Sequence, residues 1–593
     1  MIVPWTTCGF SLRKVWRSCA SLGFFQPSVR MSLDSFPGLF LPDCVSLPVV
    51  RGFRRRWSRV FHPELILFVT RRIRMSFSVH PLFGGGGICY RESLRKEHTF
   101  VVGNRRLERG RVAQQMAIAL VAVFFAYSWE ALGSELSGRG QRLPKIRVSG
   151  SRFVTADGKP IVLWGVNYFR PGTGWAPQVW KQFDPKRTAD DFRLLRSYGV
   201  NCVRVFLTFG SFFREPDRLE EEGLRKFDEF LDLAEAHGIY VHPTGPDHWE
   251  GLPPWTRRDR FADEEMLAAQ EQFWRLFAAR YRGRSVIFAY DLLNEPTVGW
   301  DSPAMRTGWN RWLVQKYQSL EQMAAAWGLP AEKIPWGQVP PPAAKGNDPV
   351  QALIDYQDFR EEVATEWVRR QASVIKEADP EALVTVGLIQ WSVPVVLPGL
   401  RQYSGFRPDR IAPWVDFQEI HFYPLARGFF DYTQPEDWKL NLAYLQACVN
   451  ECAAVGQPVV IAEFGWYGGG RLTFGNHPPA SEEDQARWCT LAVMTTWGLA
   501  CGWLNWGVFD HPEARDVSQL TGLFRVDGTP KVWAEQFRIL AAKLNADLIP
   551  RAKVPPLRLD WERARVDPQI GRNFLQHYLG GFYLPPAFLT STS

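Results

Sequence analysis

Two glutamates close apolar runs in this chain, and the residue types around them could carry acid–base and nucleophilic chemistry. Glu295 ends the stretch YDLLNEP, preceded by VIFA, a mostly apolar run without helical period that reads as a buried strand. Pro296 has no N–H for a ladder, so it ends that strand and leaves Glu295 at its tip. Glu463, in PVVIAEFGW, is presented in the same way. Other polar or aromatic groups fall at the ends of comparable runs: Arg204 in NCVRVFL, His242, Asp247 and His248 in or after IYVHPTG, Asn294 beside Glu295, and Trp506 in GWLNWGVFD. His421 and Tyr423 of FQEIHFYP are two apart and therefore share one face of their strand. Two carboxylic acids facing each other can divide a reaction, one donating a proton and the other attacking, when their surroundings hold their pKa values apart.

Such a pair works only if distant parts of the chain are brought to one rim. From about residue 150 the sequence alternates short apolar runs with amphipathic segments. Eight runs are candidate strands: IVLWGVN, NCVRVFL, IYVHPTG, VIFAYDLLNEP, LVTVGLI, FQEIHFYP, PVVIAEFGW and GWLNWGVFD. Between them, EGLRKFDEFLDLAEAHG sets Phe227, Phe230, Leu231 and Ala234 on one helical face, and the stretch 438–455 does the same with Leu442, Leu445, Val449 and Cys452. Eight strands alternating with helices predict an α/β fold, a closed (β/α)8 TIM barrel over residues 147–548. A long insertion, residues 297–346, follows the fourth strand, and residues 549–593 form a C-terminal extension with no assigned role beyond packing. In such a barrel the catalytic groups come from C-terminal strand ends, so the residues above converge.

The chemistry that suits this convergence is cleavage of a glycosidic bond between two carboxyl groups. Glu295 is the expected proton donor and Glu463 the expected nucleophile, with Arg204 and the Tyr423 hydroxyl favouring ionised Glu463. Asn294 is placed to bond a sugar 2-OH, and Trp506 offers an apolar face to a pyranose. A retaining mechanism predicts carboxyl groups about 5–5.5 Å apart, and inversion a separation nearer 9 Å. Trp249, Trp255, Trp300, Trp391 and Trp466 lie in predicted rim loops; Trp249 and Trp391 are taken as substrate-stacking candidates. No GxGxxG or GxxxxGK[ST] follows a strand, and no HExxH or CxxC is present, so no cofactor and no metal are expected. A rival metal site would have to use His242, Asp247, His248 and Glu250. A second alternative is a carbohydrate-binding barrel without turnover.

YDLLNEP, IAEFGW, the His-x-Tyr of EIHFYP, the Arg of NCVRVF and the Trp of GWLNWG, in this order, resemble glycoside hydrolase clan A, and most of all the cellulase-type family 5 with its endoglucanases and endo-mannanases. FVTADGKPIVLWGVNYF resembles the opening of such enzymes. The likeness covers about residues 150–545 and implies Asn294 and Glu295 as the acid/base pair, Glu463 as nucleophile, and Arg204, His421, Tyr423 and Trp506 as supporting groups. It implies a β-linked polysaccharide or oligosaccharide as substrate. Two departures qualify it. The histidine that such enzymes carry after the third strand has two candidates, His248 and His242, with His248 preferred. The segment KYQSLEQMAAAWG is more similar to the family 42 β-galactosidases, and a longer loop there would close one end of a cleft and favour exo action, as in a β-galactosidase or β-mannosidase.

The net charge of +8 does not describe the barrel. Residues 1–115 hold 19 Lys and Arg against 6 Asp and Glu, which leaves 51 against 56 for the rest. No nucleic-acid partner is therefore expected. Residues 1–100 are basic and without sustained period. Residues 101–140 resemble a secretory signal: a basic stretch, an apolar core at 117–129 too short to span a bilayer comfortably, then small residues near 131–134. A secreted or periplasmic enzyme with no stable membrane partner is expected after cleavage, the alternative being an anchor through that segment. Of nine cysteines, Cys202, Cys448, Cys452, Cys489 and Cys501 lie in the barrel, an odd number without a CxxC, which argues against a disulfide framework. Translation starting near residues 101–116 is the expected origin of the internal signal. Intact mass and N-terminal sequencing of the native protein should find nothing of residues 1–100; host-derived peptides from residues 1–90 would refute this.

Overall fold

The structure, a computed structural model, describes residues 142–171, 179–345, 347–424, 435–474 and 477–586. The basic segment 1–100 and the signal-like segment 101–140 lie outside these residues. Strands β1 (Ile146–Ser149), β2 (Arg152–Thr155) and β3 (Pro160–Ile161) form a small antiparallel sheet. The eight expected runs then form β4 (Leu163–Asn167), β5 (Cys202–Thr208), β6 (Tyr240–Asp247), β7 (Tyr290–Asn294), β8 (Val384–Leu388), β9 (Gln418–Phe422), β10 (Val459–Phe464) and β11 (Gly502–Trp506). They close a barrel in chain order, every neighbour parallel, with β11 paired to β4. The strands are almost wholly buried because one face lines the interior and the other meets the helices, so they read as continuous apolar runs.

The main helices are α1 (Pro185–Ser197), α2 (Glu221–Ala236), α3 (Glu264–Arg280), α4 (Pro303–Tyr317), α5 (Leu320–Trp327), α6 (Val350–Ala378), α7 (Pro435–Ala453), α8 (Glu482–Thr496), α9 (Val532–Asn545) and α10 (Pro568–Gly581). Local sequence starts several of them. Asp184 caps α1 by accepting from the Lys186 and Arg187 N–H groups, with Pro185 at the first turn. Ser481 and Asp484 form a reciprocal capping box on α8. The apolar stripes read from the sequence face inward: Phe227, Phe230, Leu231 and Ala234 of α2 and Leu442, Leu445, Val449 and Cys452 of α7 are all fully buried.

The small sheet was not expected from sequence, and it has a clear job. Phe153 of β2 meets Phe288 and Phe417 edge-on, at 5.1 and 5.2 Å between ring centroids. These rings cluster with Leu163, Cys202 and Tyr240, which stand at the starts of their strands. The sheet therefore plugs the N-terminal end of the barrel and leaves chemistry to the other end.

The insertion builds α4 and α5 against α6. A buried Asp355 clasps them, accepting from Tyr317 Oη at 2.5 Å, Trp327 Nε1 at 2.7 Å and Lys316 Nζ at 2.9 Å. The C-terminal segment wraps the outside: Tyr578 of α10 donates to Gln446 of α7 at 3.0 Å, and Arg565 pairs with Asp358 and Glu361 of α6. Among the described residues no helix is long and apolar enough to cross a membrane. Phe153→Ala should lower stability to denaturant by about 3–5 kcal/mol, the range for emptying an aromatic core position. A loss below about 1 kcal/mol would show that the plug is dispensable.

Candidate active site

Arg204, the third residue of β5, points its guanidinium into the barrel and is fully buried. Its Nη1 donates to Asn167 Oδ1 at 3.0 Å and to Glu463 Oε1 at 2.8 Å. Nη2 donates to Asp291 Oδ2 at 2.7 Å and to Asn294 Oδ1 at 2.9 Å, and Nε lies 3.4 Å from Glu419 Oε1. Burial opposes its charge, but Asp291, Glu463 and Glu419 more than compensate and hold it firmly protonated. Gly387 of β8 explains how so many groups fit: a Cβ there would lie 2.8 Å from Asp291 Oδ2 and 3.1 Å from both Arg204 Nη2 and His421 Nε2. Only a glycine clears the cluster.

The two glutamates meet above this layer. Oxygens of Glu295 and Glu463 and a nitrogen of His421 lie within 4.8 Å of one another. Glu463 is nearly buried, and its second oxygen accepts from Tyr423 Oη at 2.9 Å. The register between β9 and β10 shifts just before it, so that Glu463 stands beside His421. A similar irregularity lies between Asp291 and Asn294 against β8. Bulges of this kind re-aim side chains at sites. Glu295 has a φ of 48°, in the left-handed region that costs a non-glycine residue about 1–2 kcal/mol. Its N–H is tied to the Gly387 carbonyl at 2.8 Å, and Pro296 follows. Its Oε1 lies 3.2 Å from His421 Nδ1.

Burial acts first on these charges. It raises the Glu463 carboxyl; His421 and Arg204 pull it back, the Glu295 charge adds to the rise, and the result is a carboxyl above its ordinary range. The expectation that Arg204 and Tyr423 would leave Glu463 readily ionised names the right partners but omits desolvation, which outweighs them. Asp291 is raised as well, by burial and by the Glu419 charge. His421 moves the other way: burial works against it, yet the Glu463 charge and the bonds to Glu295 and Glu419 lift it to about 10, an imidazolium at neutral pH. The phenol of Tyr423 is pushed well above its usual value by burial and by Glu463, so it remains a donor.

Aromatic groups line the mouth. Trp506 packs with Phe169 (5.3 Å between centroids) and Phe206 (5.9 Å), with Trp249 and Tyr423 against the same cluster, and its Nε1 donates to Ser518 Oγ at 2.8 Å. Trp391 is half-buried in the short turn Gln390–Ser392, and the neighbouring Gln390 accepts from the Tyr423 N–H at 2.9 Å. His248 is half-exposed, bonded to Asp247 and stacked on Trp249 at 4.4 Å, and makes no hydrogen bond or ion pair with either glutamate. His242 does not follow its strand but is the third residue of the eight-residue β6. It sits below the glutamates, between the Ala289 carbonyl at 3.0 Å and Glu419 at 2.8 Å. Of the other rim tryptophans, Trp466 is buried against Tyr467 and Trp488, and Trp300 donates to the Pro342 carbonyl at 2.8 Å.

The rival metal set does not assemble. Glu250 accepts from the hydroxyls of Thr208 and Ser211, Asp247 holds His248, and His242 is committed to Glu419. Two other groups bring ligand-type atoms together, His242–Asp291–Glu419 and Glu295–His421–Glu463. In both, the carboxylates already serve Arg204 or a histidine. Asp291 and Glu419 were missed by the sequence reading as functional groups. Their signal was an acid inside an apolar strand, and for Glu419 the two-residue spacing to His421 and then Tyr423.

A parallel eight-stranded barrel with paired glutamates, an arginine and a His-x-Tyr at its C-terminal mouth defines a glycoside hydrolase. Residues 154–510 match the family model for cellulase (glycosyl hydrolase family 5), more than half of the chain, and the chain belongs to that family. It is 21% identical over 347 residues to mannan endo-1,4-beta-mannosidase F of Aspergillus clavatus, covering 54% of this chain and 65% of that one. It is 26% identical over 185 residues to mannan endo-1,4-beta-mannosidase A of Emericella nidulans, covering 27% and 48%. The chain thus spans less than two thirds of these relatives. Among solved structures, a beta-galactosidase from Rahnella sp. R3 is similar with a TM-score of 0.54 at 15% identity, covering 74% of this chain and 64% of that one. At that identity the likeness is one of fold.

Arg204→Met should destabilise the protein by about 3–5 kcal/mol, because it strands the buried carboxyls of Asp291 and Glu463, both already raised. Without the cation those acids keep pKa values above their unfolded ones, so stability should fall as pH rises through the carboxylate range. Denaturation midpoints at pH 5 and pH 8 check this: a larger deficit at pH 5 would contradict it.

Proposed function

We propose that the chain is a retaining β-glycoside hydrolase acting on β-mannan or manno-oligosaccharides, with Glu463 as nucleophile and Glu295 as acid and then base. The observation that carries the mechanism is that an oxygen of each glutamate lies within 4.8 Å of the other, short of the roughly 6.5–9.5 Å that inverting pairs keep. The substrate class rests on the names of the relatives, both mannan endo-1,4-beta-mannosidases.

The partners divide the roles. Both oxygens of Glu463 receive donors, from Arg204 and Tyr423, which suits an attacking carboxylate. Among the described residues Glu295 has a single side-chain partner, His421 on Oε1, which leaves Oε2 for the proton an acid must donate. In the first step Glu463 bonds to the anomeric carbon as the glycosidic C–O bond breaks, and the Glu295 proton passes to the leaving oxygen. In the second, Glu295 takes a proton from water, which displaces Glu463. Asn294 gives its Oδ1 to Arg204, leaving its NH2 as the end available to a sugar 2-OH. Trp506, with Trp249 beside it, supplies the apolar face for the ring.

The test is sugar release by the full chain from β-mannan, manno-oligosaccharides, cellulose, mixed-linkage glucan, xylan and aryl β-glycosides. Release from mannan substrates should persist in the wild type, fall at least about 10³-fold in Glu463→Gln and about 10²–10⁴-fold in Glu295→Gln. Early products should keep the β configuration by proton NMR. Shortened long chains would mark endo action, single terminal sugars exo action, and no release from any substrate by folded protein would sink the proposal in favour of a binding barrel.

A pH profile follows from the electrostatics. Glu463 attacks only when ionised and its carboxyl is raised, so the acid limb of kcat/KM should lie above the ordinary glutamate value of about 4.3. Tyr423→Phe removes a bond to the charged form; it should move that limb to higher pH and lower kcat/KM by about 10- to 100-fold. An acid limb at or below pH 4 would contradict the assignment.

A further inference from the structure

Glu419 stands on β9 two residues before His421, on the same interior face, and is fully buried. It spans two histidines. Its Oε2 lies 2.8 Å from His242 Nε2 and its Oε1 3.3 Å from His421 Nε2. The other nitrogen of His242 is 3.0 Å from the Ala289 carbonyl. The other nitrogen of His421 is 3.2 Å from Glu295 Oε1 and 3.6 Å from Glu463 Oε1.

The ring of His421 is thus faced by three carboxyl groups: Glu419 from its own strand, Glu295 from the end of β7 and Glu463 from β10. Arg204 of β5 is the opposing cation, itself tied to Asp291 of β7, and Tyr423 reaches the ring's surroundings through Glu463. From β8 comes only the Gly387 backbone. A neutral imidazole has one N–H. With Glu419 and Glu295 both ionised, one of them would then meet a ring lone pair with a carboxyl lone pair, a repulsive contact in a dry interior. Two protonated nitrogens satisfy both.

We propose that Glu419 is a positioning residue for catalysis: by accepting from His421 Nε2 it keeps both His421 nitrogens protonated, so that Nδ1 donates to Glu295 Oε1 and confines the acid's proton to Oε2. This rests on Glu295 as the acid. The oxygen that accepts from an N–H is the carbonyl oxygen of a protonated carboxyl, so the transferable proton sits on the other. When that proton passes to the leaving oxygen, His421 keeps both of its own and stabilises the new Glu295 carboxylate through the same bond. His421 belongs to the family motif, whereas Glu419 lies outside it.

The experiment is histidine-selective nitrogen-15 NMR on the full chain, with ten histidines and the His421 signals assigned through His421→Gln. In the wild type both His421 nitrogens should carry protons at pH 8. In Glu419→Gln, His421 should lose its proton at least one pH unit lower, and the basic limb of kcat/KM should move down with it while the acid limb stays. His242→Gln, which keeps the Glu419 carboxyl in place with His421 and Arg204 as partners, should keep His421 protonated at pH 8. A neutral His421 in the wild type at pH 8 overturns the proposal even if Glu419→Gln fails to fold. Lost activity in Glu419→Gln with an unchanged His421 titration also overturns it, since that marks a merely structural role. The NMR needs no substrate: if no glycoside is cleaved, the acid assignment of Glu295 falls while the titration still decides the state of His421.

Discussion

The buried guanidinium of Arg204 is the interaction on which the rest of the site depends. It reaches side chains from β4, β7, β9 and β10 at once, through Asn167, Asp291, Asn294, Glu419 and Glu463. Removing a charge from water carries a penalty of several kcal/mol, and one carboxylate would not offset it. The barrel answers with several acids and with amide oxygens that fill the remaining N–H directions. Arg204 is thereby more than a neighbour of the nucleophile, because it fixes the mutual distances of residues that come from both halves of the chain.

That hub sets conditions for the backbone around it. Gly387 must lack a side chain because Asp291, Arg204 and His421 occupy the place of its Cβ. The Asp291 oxygens do double duty, one on Arg204 and one on the Gly387 N–H at 2.7 Å, which locks β7 to β8 just below Glu295. Glu295 is then carried over the rim in a left-handed conformation that its bond to the Gly387 carbonyl sustains. The local strain at Glu295 is tolerated because the layer beneath is over-determined, the setting in which strained functional residues persist.

Much of this was legible in the sequence, and the limits have physical causes. Glu295 and Glu463 could be found because a strand end, in one case a proline, presents each. The eight strands were visible as apolar runs because both of their faces are buried. Asp291 and Glu419 were not singled out: local sequence does not reveal that an acid inside a strand faces an arginine 87 or more residues away. The small sheet escaped notice because its strands have four, four and two residues, too short for a period to register. The preference for His248 over His242 was made without a clear strand end, for a related reason. β6 runs YVHPTGPD with two prolines, residues that ordinarily mark a strand's end, so its true tip was hidden. The raised carboxyl of Glu463 depends on desolvation, a property of the assembled barrel alone.

The plug at the bottom of the barrel and the charges near the top are parts of one arrangement. Phe288 and Phe417, held by Phe153, lie beneath the polar layer, and the His242 ring meets Phe288 edge-on at 5.3 Å. Water is thus excluded from below, and the charges face a low-dielectric floor in which each pair interacts more strongly than at a surface. The same floor raises Asp291 and Glu463 by desolvation while the clustered acids hold His421 protonated. An open-bottomed barrel would admit water and weaken every one of these interactions. The short antiparallel sheet therefore bears on the chemistry at the opposite end, through the dryness of the core between them.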